Sequence, residues 1–210
     1  NYSYPIKVPK GTGDLTPDVS LSYNSSAAKD FMQRTRVGWQ INLDYVERDV
    51  NYTPNTLSDD KFKLHLKGIA YDLIYVPADG RYHTKVETNL KIEKKPAGNY
   101  YGEHWVVTDQ DGIQYKFGTI YLGSEVTCDT RSYARAWNID QIQDTHGNTI
   151  YYTYFTDNGL RYLSKIEYNN DKSRIIDFTY ATSPYQRSAY QQGCPTIETK
   201  RLINIQVRAP

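Results

Sequence analysis

Four histidines are the side chains that could most readily carry acid–base or metal chemistry near neutral pH. They are His65, His83, His104 and His146, and they are scattered among strand-like and turn-like segments. No His-x-His or His-Glu-x-x-His pattern places two imidazoles on one metal ion, and no Gly-x-Ser-x-Gly pattern presents a serine nucleophile. The sequence therefore predicts no catalytic residue, no metal ligand and no cofactor.

Two further segments have compositions that could bind ions. Residues 109–112 (Asp-Gln-Asp-Gly) carry carboxylates at alternate positions, as the start of a calcium loop does, but Lys116 and Phe117 follow where a further acidic ligand is needed. A hairpin turn is the favoured interpretation, and calcium is the alternative. Residues 9–17 contain two glycines but lack the Lys-Ser/Thr ending of a phosphate-binding loop, so they predict a bend.

Basic residues could instead form a nucleic-acid surface. Lys61, Lys63 and Lys67 follow one face of a strand-like segment, but Asp59 and Asp60 lie beside them. The chain has 25 Lys and Arg against 24 Asp and Glu, a net charge of +1, so it lacks the surplus of positive charge that binds phosphate backbones. We predict a solvated strand face and no nucleic-acid partner. No apolar run approaches the ~18 residues of a membrane span, so we predict no membrane insertion.

The two cysteines, Cys128 and Cys194, lie far apart in a chain of 210 residues and match no zinc-ligand spacing. Two interpretations remain open: unpaired thiols, or one disulfide in an exported protein. Asn-x-Ser/Thr sequons occur at Asn1, Asn24 and Asn51, and they would be glycosylated only in a secreting eukaryote.

Alternation of apolar and polar residues with a period of two dominates the chain and is typical of strands with one buried face. It is clear over 37–45 and 61–67 and in the face formed by Ile150, Tyr152 and Tyr154. The further strand candidates are 18–24, 69–76, 82–93, 99–108, 113–117, 134–143, 161–168, 174–181 and 197–207. Residues 182–196 show little pattern and are interpreted as a loop, and 26–34, the best helix candidate, as a loop or a single turn.

Turn residues separate these strands. Gly112 and Gly147 lie in Asp-Gly and Gly-Asn pairs that supply the positive φ angles of tight hairpins. We therefore predict an all-β fold of antiparallel hairpins and meanders, forming a curved, shell-like sheet or sandwich with very little helix. We expect residues 1–210 to be a single β-rich domain. The absence of an initiator Met at Asn1 and the strand-like run next to Pro210 suggest a piece of a longer chain.

Aromatic residues are the main candidates for structural roles, because 21 of the 210 residues are Tyr and 3 are Trp. Trp39, Trp105 and Trp137 lie in alternating patterns that favour inward packing, although a carbohydrate-binding platform is an alternative. Trp137 shares a face with Ile139 but not with Ile142, which predicts a bulge or a bend between 139 and 142. We count these three tryptophans with Gly112, Gly147, Tyr152 and Tyr154 as the structural residues. The last strand, 201–207, should pair with an earlier strand or with another chain.

A series of short motifs resembles the N-terminal region of SpvB/TcaC-type proteins, which comprise the Salmonella virulence plasmid B family and the B components of insecticidal Tc toxin complexes. The resemblance is collinear over nearly the whole chain. Its elements are Pro-Lys-Gly-Thr-Gly at 9–13, Leu-Ser-Tyr-Asn-Ser at 21–25, the Gly-Trp segment 37–49, the strand 59–68, the hairpin 105–118, the stretch 137–154, and the strands 161–169 and 201–207. The segments 26–36 and 77–98 match poorly.

The resemblance implies a β-rich part of a shell that is continued by tyrosine–aspartate (YD/Rhs-type) repeats and encloses a toxic C-terminal polypeptide. It implies a secreted or cell-surface location, and as partners the rest of the chain, other toxin-complex subunits or copies of itself. Three functional hypotheses follow: a non-catalytic structural module of this kind, a self-assembling or adhesive extracellular module, and a sugar-binding or hydrolytic domain.

Overall fold

The computed structural model describes residues 2–23, 34–36, 39–96, 99–120, 123–128 and 130–210. Strands account for about 60% of the structure, and the described ranges contain two three-residue 3-10 helices, Thr12–Asp14 and Leu57–Asp59, and no α-helix. The all-β prediction is confirmed. Within these ranges no helix has the length and apolarity to cross a membrane. Apart from Arg34, the helix candidate 26–34 lies outside the described residues, as do the sequons' Asn1 and Asn24.

The strands form a small sheet and a large one. The small sheet, in the order β1-β2-β4-β3, contains β1 (Tyr2–Pro5), β2 (Ser20–Tyr23), β3 (Arg34–Arg36) and β4 (Trp39–Ile41). The large sheet contains β5 (Tyr45–Asp49), β6 (Lys61–Leu66), β7 (Ile69–Val76), β8 (Arg81–Thr84), β9 (Lys91–Pro96), β10 (Glu103–Thr108), β11 (Gln114–Phe117), β12 (Glu125–Thr127), β13 (Ala134–Gln143), β14 (Thr149–Asp157), β15 (Leu160–Tyr168), β16 (Arg174–Gln191) and β17 (Cys194–Arg208).

Eight strands of the large sheet close into a barrel. Strands β5 to β11 pair antiparallel with their chain neighbours, and β13 closes the ring because it pairs with both β5 and β11. The strands β14 to β17 continue the sheet outward from β13 as successive hairpins. The predicted curved sheet is therefore a closed barrel with an extended hairpin arm.

Aromatic rings fill the inside of the barrel. Trp105 and Trp137 are both 0% exposed, with ring centroids 5.9 Å apart in an edge-to-face arrangement. Phe62 and Tyr82 contact Trp105 at centroid distances of 5.0 and 4.9 Å. Edge-to-face pairs of this kind add stabilisation beyond the burial of their area. The barrel is thus a packed core.

A β-bulge lies at Asp140. Strand β11 pairs Lys116 with Gln141 and Phe117 with Ile139, so Asp140 has no counterpart in β11. The extra residue lets Ile139 and Ile142 pair opposite Phe117 and Tyr115, both of which are buried in the core. The bulge predicted between 139 and 142 is confirmed.

The N-terminal segment 9–17 is hydrogen-bonded to later parts of the chain. The Tyr168 hydroxyl donates a hydrogen bond of 2.8 Å to the carbonyl oxygen of Pro9, and the Thr12 N–H donates to Asn169 Oδ1 at 3.0 Å. Gly13 has a φ of +63°, and a Cβ there would lie 2.7 Å from Asn148 Nδ2. The bend needs this glycine because the loop seats directly on the turn that contains Asn148.

Three element predictions are wrong. Residues 37–45 are not one strand, because β4 and β5 belong to different sheets. Asn42 still pairs with β2, since its N–H donates to the Ser20 carbonyl oxygen at 3.0 Å, whereas the Asp44 carbonyl oxygen accepts the Ile139 N–H of β13 at 3.0 Å. Trp39 is consequently only half-buried and packs beside Tyr23. The candidate 82–93 is divided between β8 and β9, and the loop assigned to 182–196 is the far end of the β16–β17 hairpin.

Candidate functional site

The four histidines do not converge. The His65 ring stacks on Tyr45 with centroids 4.1 Å apart, and its Nε2 lies 3.0 Å from Glu47 Oε1. His83 contacts Asp79 at 2.8 Å. His104 is half-buried and burial lowers its pKa, whereas His146 lies in an exposed turn. Over the described ranges no three His, Cys, Asp or Glu side chains are grouped as metal ligands.

The acidic residues of the two glycine turns accept hydrogen bonds from backbone N–H groups of their own turns. Asp109 Oδ1 accepts the N–H groups of Asp111 and Ile113 at 3.1 and 3.0 Å, and Gly112 has a φ of +78°. Asp144 Oδ1 accepts the N–H groups of His146 and Asn148, both at 2.9 Å, and Gly147 has a φ of +85°. Each carboxylate closes a turn, which supports the hairpin interpretation of 109–112.

The positive charges of Lys63 and Lys67 are partly neutralised by nearby carboxylates. Lys63 Nζ lies 3.6 Å from Asp72 on the neighbouring strand, and Lys67 Nζ lies 3.5 Å from Asp109. The Lys63–Asp72 pair is largely solvent-exposed and contributes little to stability, whereas the Asp109 side chain is only 10% exposed. Carboxylates therefore lie beside two of these lysines.

Cys128 and Cys194 form a disulfide, with Cα atoms 5.4 Å apart, so the interpretation as unpaired thiols is wrong. Both cysteines are 1% exposed and pack with Val50 and Tyr133 in a small second core. The bond joins the connection between β12 and β13 to the first residue of β17. It therefore links the barrel to the hairpin arm.

Tyr152 and Tyr154 lie on the buried face of β14 but have different surroundings. The Tyr154 hydroxyl donates to the carbonyl oxygen of Ile139 at 2.6 Å. Tyr152 is 5% exposed, and over the described part of the chain its hydroxyl has no hydrogen-bond partner. Burial raises the pKa of both hydroxyls.

Arg48 and Asp140 are two of several buried charged residues that were not predicted from the sequence. The Arg48 guanidinium inside the barrel contacts Asp60 at 2.5 Å and Glu103 at 3.1 Å, and it donates to the carbonyl oxygen of Ala134 at 2.9 Å. Asp140, the bulge residue, is 0% exposed and accepts hydrogen bonds from the Thr119 N–H at 2.5 Å and from Ser124 Oγ at 2.6 Å. Burial raises the pKa of Asp140. The sequence marked neither residue as buried, because Asp140 follows Asn138 on the polar side of an alternating strand and Arg48 lies between two acidic residues.

A cavity of about 610 Å³ lies where the N-terminal segment meets the barrel. It lies between residues 14–20, the ends of β5 and β6, and the strands β11, β13 and β14. Its size falls within the range of small-molecule sites in proteins. No motif in the sequence indicated it, because its walls come from segments far apart in the chain.

The hairpin arm presents a second candidate surface. In the described ranges no strand pairs with the outer edge of β17. Near its far end, Tyr190 (81% exposed) is opposite Pro195, and Ile197 (37% exposed) is two residues further along the same face. A strand edge without a paired neighbour, beside exposed apolar side chains, is typical of a surface that pairs with further strands.

No protein-family model and no curated protein sequence matches the chain. Solved structures do. The N-terminal domain of effector protein SpvB from Salmonella typhimurium strain LT2 has a TM-score of 0.74 at 16% identity, covering 97% of this chain and 86% of that chain.

Tc toxin structures match equally well. The Tc holotoxin pore of Photorhabdus luminescens gives a TM-score of 0.75 at 16% identity, covering 98% of this chain and 12% of that chain. The TcdB2-TccC3 structure gives 0.75 at 15% identity, covering 98% and 13%. This chain thus spans about an eighth of those Tc chains. Matches at identities this low establish a common fold. The chain has the fold of the SpvB N-terminal domain and of a region within the Tc toxin chains. At the level of the fold, the resemblance seen in the sequence is confirmed.

Proposed function

We propose that this chain is a non-catalytic structural module of a secreted, toxin-like virulence protein. It forms part of a β-shell that encloses or presents a toxic C-terminal polypeptide. The observation that carries the proposal is the pair of fold matches, since almost the whole chain matches both a separate effector domain and a short region of much longer Tc chains.

The architecture supports a role that depends on shape. The barrel is packed with aromatic side chains, and Arg48 and Asp60 form a buried ion pair. A buried disulfide between barrel and arm suits an exported protein. The outer edge of β17 gives further strands of the same chain, the YD/Rhs repeats, a place to continue the sheet. Other toxin-complex subunits are the second class of partner.

The natural reading frame that contains this chain tests the proposal. We expect it to encode downstream repeats and a C-terminal polypeptide that resists added protease in the intact protein. Tyr190→Ser combined with Ile197→Ser should loosen the junction of arm and shell, so the same polypeptide should be cleaved several-fold faster. Tyr52→Ser, at a fully exposed tyrosine, is the control and should change nothing. A reading frame without repeats, or a C-terminal polypeptide digested as fast as an unfolded one, would refute the proposal.

A self-assembling or adhesive module is the second candidate, because the same exposed edge could pair with another copy. Sedimentation of the isolated chain over a wide concentration range distinguishes it. Growth of oligomers with concentration, abolished by the Tyr190→Ser and Ile197→Ser substitutions, would favour self-assembly. A monomer throughout would exclude it.

A further inference from the structure

The cavity between the N-terminal segment and the barrel combines an apolar wall with acidic groups. The aliphatic side chains that line it are Leu15, Leu43, Ile113, Ile139, Ile142 and Ile150. Asp44 and Tyr152 lie among them, and Asp14 and Asp18 are at the exposed rim. A ligand here would meet a hydrocarbon surface on one side and carboxylates on the other.

Tyr152 is the first sign that the cavity takes a polar group. Its side chain is 95% buried, since 5% of it is exposed, and in the described part of the chain its hydroxyl has neither a donor nor an acceptor. The hydroxyl oxygen itself is not fully enclosed, so it is accessible from the cavity and can bind a ligand there. Other tyrosines near the cavity are paired: the Tyr115 hydroxyl contacts Asp109 at 3.1 Å, and the Tyr154 hydroxyl contacts Ile139.

Asp44 is the second sign. Its Oδ1 accepts the Lys67 backbone N–H at 2.7 Å, but among the described residues no ammonium or guanidinium lies within ion-pair distance of its carboxylate. The Lys67 ammonium is directed elsewhere, 3.5 Å from Asp109 and 5.2 Å from the centre of the Tyr115 ring. Among the described residues, the Asp44 carboxylate therefore has no ion-pair partner.

The charged groups that line the cavity favour a cationic ligand. The titratable groups that line the cavity are Asp14, Asp18, Asp44, Tyr45, His65, Lys67, Tyr115 and Tyr152. Three are carboxylates and one is a lysine whose ammonium is already held by Asp109. Anions are repelled by this set. A divalent metal ion is disfavoured, because the carboxylates do not come together as three ligands within the described ranges.

We propose that this cavity binds an organic primary ammonium, with the ammonium hydrogen-bonded to Asp44 and the Tyr152 hydroxyl and the hydrocarbon body packed on the aliphatic wall. A charge-assisted hydrogen bond of this kind is roughly twice as strong as one between neutral groups. The same chemistry is available from a free amine and from the lysine side chain of a peptide. The inference does not depend on the proposed function.

The proposal is tested by titrating three six-carbon probes into the purified chain at pH 7.5. Binding is measured by calorimetry or by shifts of amide NMR signals. Hexylammonium should bind at least about 10-fold more tightly than hexanol or hexanoate, since each 1.4 kcal/mol is a factor of ten. Nα-acetyl-lysine N-methylamide is the fourth probe. Its binding would support a peptide lysine as the source, and binding of hexylammonium alone would support a free amine.

Substitutions test which residues bind the ammonium group. Asp44→Asn should weaken hexylammonium binding at least about 10-fold and Tyr152→Phe several-fold, while hexanol binding stays unchanged in both. Asp72→Asn, at an exposed carboxylate outside the cavity, is the matched control and should bind as the wild type does. Circular dichroism checks that each variant is folded.

The pH dependence is a further readout. Burial raises the pKa of Asp44 to about 6, against the opposing effects of Lys67 and His65. Hexylammonium should therefore bind much more weakly at pH 5 than at pH 7.5, and hexanol should not change. Equal binding of hexylammonium and hexanol, binding of neither, or an unchanged affinity in Asp44→Asn would overturn the proposal.

Discussion

Gly118 lies directly against the indole of Trp137. A Cβ atom at Gly118 would lie 2.9 Å from Cγ and 3.0 Å from Cβ of Trp137, and closer still to Cδ1. Gly118 follows β11, has a φ of +73°, and donates its N–H to the carbonyl oxygen of Asn138 at 3.1 Å. The close approach lets β11 and β13 meet where the barrel closes.

Gly118→Ala should destabilise the protein strongly, because the methyl group adds a clash with a buried ring to the strain of a positive φ. Gly80→Ala is the matched control, since Gly80 has a φ of +70° but no atom within 4 Å of the added Cβ. We expect a loss of about 1–2 kcal/mol for Gly80→Ala and about 1–3 kcal/mol more for Gly118→Ala. Urea unfolding followed by tryptophan fluorescence measures both. Equal losses would contradict this account of Gly118.

Removal of Arg48 should be among the most damaging charge substitutions. Its side chain is 5% exposed and that of Asp60 is 2% exposed, so Arg48→Ala leaves a buried carboxylate without its partner. Breaking such a pair costs about 3–5 kcal/mol. Lys63→Ala breaks the exposed pair with Asp72 and should cost at most about 1 kcal/mol. Denaturant titrations of the two variants give the comparison, and similar losses would show that the Arg48 pair is not effectively buried.

The sequence predicted local features well and long-range ones poorly. The strands β7 and β13 begin and end at the predicted residues, 69–76 and 134–143, because alternation is a local property. The bulge near Asp140 was also predicted, since it disturbs that alternation. The pairing of β13 with both β5 and β11, which closes the barrel, depends on contacts between distant segments and leaves no periodic signal.

The candidate site shows the same limit. Tyr152 was recognised as a buried aromatic, but its unpaired hydroxyl and its position near Asp44 arise only when β14 and the turn before β5 are brought together. Asn42 and Asp44 were read as the polar face of one strand. Instead, the backbone of Asn42 pairs with Ser20 of the small sheet and that of Asp44 with Ile139 of the large sheet, so the segment is divided between the two sheets. Pairing with strands that are distant in the chain cannot be read from periodicity.

The disulfide should make a large contribution to stability. The Cys128→Ala and Cys194→Ala double variant should lose about 2–5 kcal/mol, because the bond restrains a long loop in the unfolded chain. Mass spectrometry after alkylation of the unfolded wild-type protein should find no modified cysteine unless a reductant is added first. Reduced wild type and the double variant should have similar unfolding midpoints. Alkylation of both thiols without a reductant would refute the assignment.

The ionisation of Asp44 should lower the stability of the chain as the pH rises from about 4 to 6. Burial raises the pKa of Asp44 from 3.8 to about 6 in the folded protein, so over this window the folded state binds more protons than the unfolded state. The free energy of unfolding decreases with pH wherever that holds. Burial also raises the pKa of Asp60, Glu125 and Asp140, which act in the same direction.

Asp44→Asn isolates the contribution of this residue, because the amide oxygen can still accept the Lys67 N–H. The variant should match the wild type near pH 4 and exceed its stability by about 1–2 kcal/mol at pH 7, since one unit of pKa shift corresponds to about 1.4 kcal/mol and the half-buried carboxylate retains some contact with water. Asp72→Asn, at an exposed site, should follow the pH dependence of the wild type. Thermal or urea unfolding at several pH values between 4 and 7 measures all three proteins. If the Asp44→Asn curve runs parallel to the wild-type curve over this range, the Asp44 carboxyl is ionised throughout, and its raised pKa is wrong.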